Sequence, residues 1–209
     1  MTPAPPADLA PIHTRILDAG TVLHRMHDRH FKGETFNPGK GRPSRFAPLF
    51  DSAGVNIPTL YAATSMDAAA YESIFHDVPY NAGIKSVPFD EAKACAYSRI
   101  QLRIPLTVAT LHEPDLNRWG ATRAQLIDTP ASDYSDTAKW AVALHAQGPN
   151  LNGLQYTSKR CDSDQAFVFF GDRSATAFEL LDQRVLGEDD ALLSQVRAAG
   201  KRAGIVLAM

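Results

Sequence analysis

Cysteine is scarce in this chain of 209 residues: the two present, Cys95 and Cys161, stand far apart and form no CxxC pair. That spacing excludes a disulfide framework or a zinc finger as the organising device and sets the expectation of a reducing, cytoplasmic environment. Neither sign of charge dominates, since 21 Lys and Arg face 23 Asp and Glu and leave a net charge of -2. The electrostatic footprint of a nucleic-acid binder is therefore missing, and no direct nucleic-acid partner is expected. No apolar run approaches the roughly 20 residues that a bilayer-spanning helix requires, so no membrane partner is expected either. The first residues, MTPAPPADLAPIH, lack the basic-then-apolar order of a secretory leader. GxxxxGK[ST] and a strand-GxGxxG-helix unit are also absent, which removes the P-loop and the Rossmann fingerprint.

What is present is an ordinary globular composition, 44% hydrophobic and 21% charged, on a chain long enough to bury a core. Residues 1-11 carry Pro3, Pro5, Pro6 and Pro11 and are expected to form a loose, flexible tail, with one folded domain over 12-209. TVLHRMH alternates as a strand, placing His24 and Met26 on one face and Arg25 and His27 on the other. Residues 31-46 hold three glycines and two prolines without a period and read as a long loop, a feature that is functional more often than not in compact domains. NIPTLYAAT is a strand, and Ser65 is the expected N-cap of a helix in SMDAAAYESIFHD. Further along, YSRIQLRIPLTVATL gives strand interrupted at Pro105, while LNRWGATRAQLID and YSDTAKWAVALHAQ are helical. NGLQYTS, QAFVFFGD and TAFELLDQRVL are strands, and GEDDALLSQVRAAGKRAG is a terminal helix. Short strands mixed with helices, without a βαβ rhythm, predict an α+β fold.

Chemistry-bearing residues each have a plain alternative. The histidines of HRMHDRH do not converge if the segment is a strand, so no metal site is expected there. Glu72 is flanked by Ala68 and Ala69 on a helix face, and spacing alone favours a solvated carboxylate. Tyr61 reads first as a core aromatic. Arg42 and Arg45, beside the glycine-rich stretch, suit a bidentate anion contact. Ser158 ends a strand without a nucleophile elbow, and a hydroxyl there most often satisfies local backbone.

In order, however, Arg25 in TVLHRMH, an Arg-Phe after a glycine-rich loop, LYAATSMDAAAYE and the later GLQYTS resemble the RES-domain family, the toxins of RES-Xre toxin-antitoxin pairs. The match runs from about residue 20 to 172. Arg45-Phe46-Ala47-Pro48 departs from the family's Arg-aromatic-Asn-Pro run. The resemblance implies a single-domain ADP-ribosyltransferase-like fold that acts on NAD as substrate, with no further cofactor. It implies cleavage of the nicotinamide-ribose bond with water, phosphate or a protein side chain as acceptor, depletion of cellular NAD and arrest of growth. A protein-specific ADP-ribosyltransferase and a non-catalytic binding module are the alternatives. It assigns Glu72, Arg25 and Ser158 to catalysis, and Arg25, Tyr61, Arg45, Arg42 and Ser158 to binding NAD. It further implies an Xre-type helix-turn-helix antitoxin as partner, and a homodimer, alone or within a larger complex.

Overall fold

The computed structural model describes residues 1-208. Its centre is an eight-stranded sheet in the order β1-β8-β9-β10-β5-β2-β7-β11. These strands are β1 (Thr14–Leu17), β2 (Val22–Asp28), β5 (Thr59–Ala63), β7 (Cys95–Leu102), β8 (Leu106–Thr110), β9 (Gly153–Thr157), β10 (Gln165–Phe170) and β11 (Phe178–Val185). Two small sheets pair β3 (Leu49–Phe50) with β4 (Asn56–Ile57), and β6 (Lys85–Pro88) with β12 (Ile205–Ala208). The helices are α1 (Met66–Tyr71), α2 (Phe89–Lys93), α3 (Glu113–Arg118), α4 (Arg123–Leu126), α5 (Tyr134–Gln147), α6 (Gly171–Ser174) and α7 (Asp190–Arg202). The fold is the expected α+β domain, and among the described residues no helix is long and apolar enough to cross a membrane.

The apolar period of the strands distributes the core. Along β10, Ala166, Val168 and Phe170 face one cluster while Phe167 and Phe169 face another, as a strand buried on both sides requires. Leu17, Leu23, Leu60, Ile100, Leu106 and Phe178, from six different strands, meet in the second cluster, so the sheet curls around it. Its outer face carries α5 with Trp119 and Trp140 at one end, and α1 with α7 at the other.

One irregularity creates the cavity. Antiparallel β2 and β5 are bridged only at His24↔Ala63, although each is well paired on its far side, β2 with β7 and β5 with β10. Beyond that bridge the two strands diverge, and the loop of residues 31-46 lies over the gap.

Local chemistry explains most boundaries. Ser65 is the N-cap of α1, accepting from the Ala68 amide at 3.1 Å. Strand is broken between β7 and β8 around Pro105, as expected. The single helical stretch expected over LNRWGATRAQLID is instead two short helices, because Gly120 turns to φ +72° and Thr122 begins a new capping box. Likewise α1 stops at Tyr71, so that Phe75 can be fully buried beside Gly200 of α7. The N-terminal segment is not the loose tail that its prolines suggest: the indole Nε1 of Trp140 donates to the Pro3 carbonyl at 2.8 Å, that of Trp119 donates to Leu9 at 3.0 Å, and the Leu9 side chain is fully buried. Met209 lies outside the described residues.

Candidate active site

The cavity between β2 and β5 measures about 730 Å³, the size of a small-molecule or cofactor site. Arg25, Tyr61, Glu72, Arg45 and Tyr156 all line it. Glu72 follows the last residue of α1, and its side chain is only 13% exposed. The solvated carboxylate favoured by helical spacing is therefore corrected: the chain leaves the helix at this residue, and partners from distant segments replace the water it loses.

Those partners occupy both carboxylate oxygens. Ser158 Oγ donates to Oε1 at 2.7 Å and the Lys159 backbone amide at 2.9 Å. Tyr156 Oη donates to Oε2 at 3.0 Å and Arg45 Nη1 at 3.1 Å. Burial alone would push the carboxyl up, but Arg45, then Ser158 and Lys159, hold it below the usual glutamate range. Reciprocally, burial disfavours the Arg45 charge, and the Glu72 carboxylate more than restores it. Tyr156, buried against that carboxylate, is held well above the usual phenol range and remains a donor. The result is a fixed anion in the cavity wall.

Arg45 is placed by its own contacts. Thr137 of α5 donates its hydroxyl to the Arg45 carbonyl, and the guanidinium lies over the Tyr156 ring at 5.3 Å. Arg25, on β2, also lines the cavity. Its Nη1 donates to the carbonyls of Gly33 at 2.7 Å and Thr35 at 2.8 Å, which ties the loop to β2. No hydrogen bond from its Nε or Nη2 is present among the described residues. Burial brings the Arg25 pKa down to about 10, so the group is a cation at neutral pH. Tyr61 supplies ring surface, and its hydroxyl accepts from Phe46 N at 2.9 Å and Ser44 Oγ at 3.1 Å, pinning the other end of the loop.

Four of the six residues singled out from sequence, Arg25, Tyr61, Glu72 and Arg45, thus line one cavity, and two do not. Ser158 is completely buried and is absent from the cavity lining; it stands behind Glu72 and touches the carboxylate, so a direct bond from Ser158 to a substrate is not what its position offers. Arg42 is exposed and outside the lining, whereas Arg45 lines the cavity but is engaged with Glu72.

Sequence reasoning missed Tyr156, two positions before Ser158, Lys159, directly after it, and Lys40, which lines the cavity as Tyr156 does. The alternation of GLQYTS contained a usable signal for Tyr156, since residues 156 and 158 share a strand face. His24 and His27 both reach the lining. His27 Nδ1 faces the Asp28 carbonyl at 2.9 Å and its Nε2 faces Ser98 Oγ at 2.8 Å, so the ring donates from Nδ1 and accepts at Nε2. Burial, then Arg25, brings its pKa down to about 4. Among the described residues no group of three His, Cys, Asp or Glu side chains is arranged to hold a metal ion.

Comparison with known proteins adds a family and a fold. Residues 22-192 match the RES domain. A chain from the crystal structure of the M. tuberculosis MbcT-MbcA toxin-antitoxin complex superposes with a TM-score of 0.63 at 15% identity, covering 88% of this chain and 92% of that one. No curated protein matches the sequence.

Proposed function

Because the chain belongs to the RES-domain family, we propose that it is the toxin of a toxin-antitoxin pair and that it cleaves the nicotinamide-ribose bond of NAD in the cytoplasm. The single observation that carries this reading is the largely buried, ionised Glu72 in the wall of a cavity of about 730 Å³ that Arg25 also lines. Departure of nicotinamide leaves positive charge on the ribosyl centre, and a preorganised carboxylate stabilises that charge without reorganising at the moment of reaction. Arg45, Tyr156, Ser158 and Lys159 fix the carboxylate; Arg25 takes the pyrophosphate through donors that the loop leaves free; Tyr61 offers its ring to nicotinamide or its ribose. Lys40, at the edge of the same cavity, is a second cation for the phosphates. Arg45 acts on the substrate only through Glu72.

The partner in this reading is an Xre-type helix-turn-helix antitoxin, which would make any DNA contact itself. Family membership and the fold shared with a chain of a toxin-antitoxin complex support it. The test is nicotinamide release from NAD by the purified, partner-free chain, with and without inorganic phosphate. Release is expected, and Glu72→Gln, checked for folding by circular dichroism, should lower it by about 10²-10³. A folded variant with full activity would remove Glu72 from the chemistry; no release by the parent chain would overturn the NAD reading.

A further inference from the structure

A second cavity, of about 430 Å³, is lined by Tyr71, the residue before Glu72, and by Lys159, whose amide holds the Glu72 carboxylate. Its wall includes Lys85 from β6, Arg123 from α4, and Lys159 and Arg160 from the turn after β9. Arg123 is paired with Asp128, Nε to Oδ2 at 3.1 Å. Lys85, Lys159 and Arg160 have no carboxylate partner among the described residues, so three unpaired cations line this one cavity. Asp162, the remaining acid in the lining, is exposed.

Lys159 and Arg160 are positioned by carbonyls. Lys159 Nζ donates to Thr129 O at 2.8 Å, and Arg160 donates from Nε to His76 O at 3.2 Å and from Nη2 to Val78 O. The Arg160 guanidinium also lies 4.2 Å from the centre of the Tyr80 ring. Carbonyls and a ring face orient a cation without neutralising it, so positive charge accumulates around one concave space. Burial lowers the Lys159 pKa, and Arg45 and Arg160 lower it further, the mark of cations crowding one another. A bound anion would relieve that repulsion and accept the donors that carbonyls leave over.

We propose that this cavity binds a small phosphate-bearing anion, separately from the NAD cavity. The chemistry that selects it is an arginine beside two ammonium groups in a partly enclosed polar recess. Its floor is shared with the active site: Arg123 donates to the carbonyls of Thr157 and Ser158, at 3.3 and 3.0 Å, while Ser158 Oγ and the Lys159 amide hold Glu72. Residues 157-160 therefore join the two cavities: Ser158 and Lys159 hold Glu72, while Lys159 and Arg160 line the second cavity.

Lys85 gives the clean test, because among the described residues its side chain makes no hydrogen bond or ion pair, and it plays no part in holding Glu72. Titration calorimetry with pyrophosphate, orthophosphate and AMP, in the absence of NAD, should show binding to the parent chain. Lys85→Glu should weaken that binding about ten- to a hundredfold, the scale of one charge-assisted contact, while Arg25→Ala leaves it in place. Preference for the inorganic anions would identify a free phosphate as the occupant, and preference for AMP a nucleotide phosphate. No binding, binding unaffected by Lys85→Glu, or binding lost with Arg25→Ala would overturn the proposal. The measurement needs no turnover, so its outcome is independent of the NAD reading.

Discussion

Glu72 concentrates the residue-scale physics, since removing any one of its four donors leaves a buried charge short of a partner. Ser158→Ala is expected to lower kcat for nicotinamide release by about tenfold or more, the worth of a hydrogen bond to a charged group, with KM for NAD nearly unchanged because Ser158 is outside the cavity lining. A rise in KM at constant kcat would instead put its hydroxyl on the substrate. The acid limb of the pH profile makes an independent check. The folded Glu72 pKa is depressed, so its contribution to stability is full above the unfolded value, about 4.3, and is lost as pH falls through the folded value. Activity that needs the carboxylate should accordingly persist below the ordinary glutamate range, and Ser158→Ala should move that limb upward. A limb that stays put in the variant would show that another group controls it.

At the scale of elements, the site depends on two strands held apart and a loop pinned between them. Gly33 accepts the Arg25 guanidinium through its carbonyl, and a Cβ at this position would lie 2.4 Å from Ser98 Cβ and 2.5 Å from its Oγ. Gly33→Ala must therefore displace the loop, and the expected outcome is several-fold weaker NAD saturation with Glu72 and its donors untouched; steady-state kinetics read both. The N-terminal segment braces the other side. Deleting residues 1-9 uncovers both indole donors and removes the buried Leu9, which should lower unfolding free energy by about 3-6 kcal/mol. Urea titration followed by tryptophan fluorescence measures it, and an unchanged midpoint would deny the segment any structural role.

Over the whole molecule, acid sensitivity follows from histidines that the fold keeps neutral. His27 titrates near 4 when folded, because of burial and then Arg25, against about 6.5 in an unfolded chain. The unfolded state takes up a proton first, so stability should fall as pH drops from about 6.5 to about 4 and level off below. His27 accounts for roughly 2-3 kcal/mol of that fall, and His24, lowered chiefly by burial, adds in the same direction. Comparing urea midpoints of the parent chain and His27→Gln at pH 7 and pH 4.5 tests this; an equal pH dependence in both proteins would contradict it.

What the sequence determined by itself was local. The α5 bounds follow from YSDTAKWAVALHAQ, the Ser65 cap from a hydroxyl ahead of an alanine run, and the two-sided burial of β10 from the unbroken QAFVFF. The order of Arg25, Tyr61 and Glu72 was legible too, through the family resemblance carried by short motifs. Only tertiary structure decided that Glu72 is largely withdrawn from water, that Ser158 stands behind it, that Arg45 and not Arg42 reaches the cavity, and that the proline-rich start is strapped down. Each of these depends on partners many positions away. Periodicity reports which face of an element a residue occupies, but a charge can leave water only where distant donors converge on it, and that convergence exists only once the chain has folded.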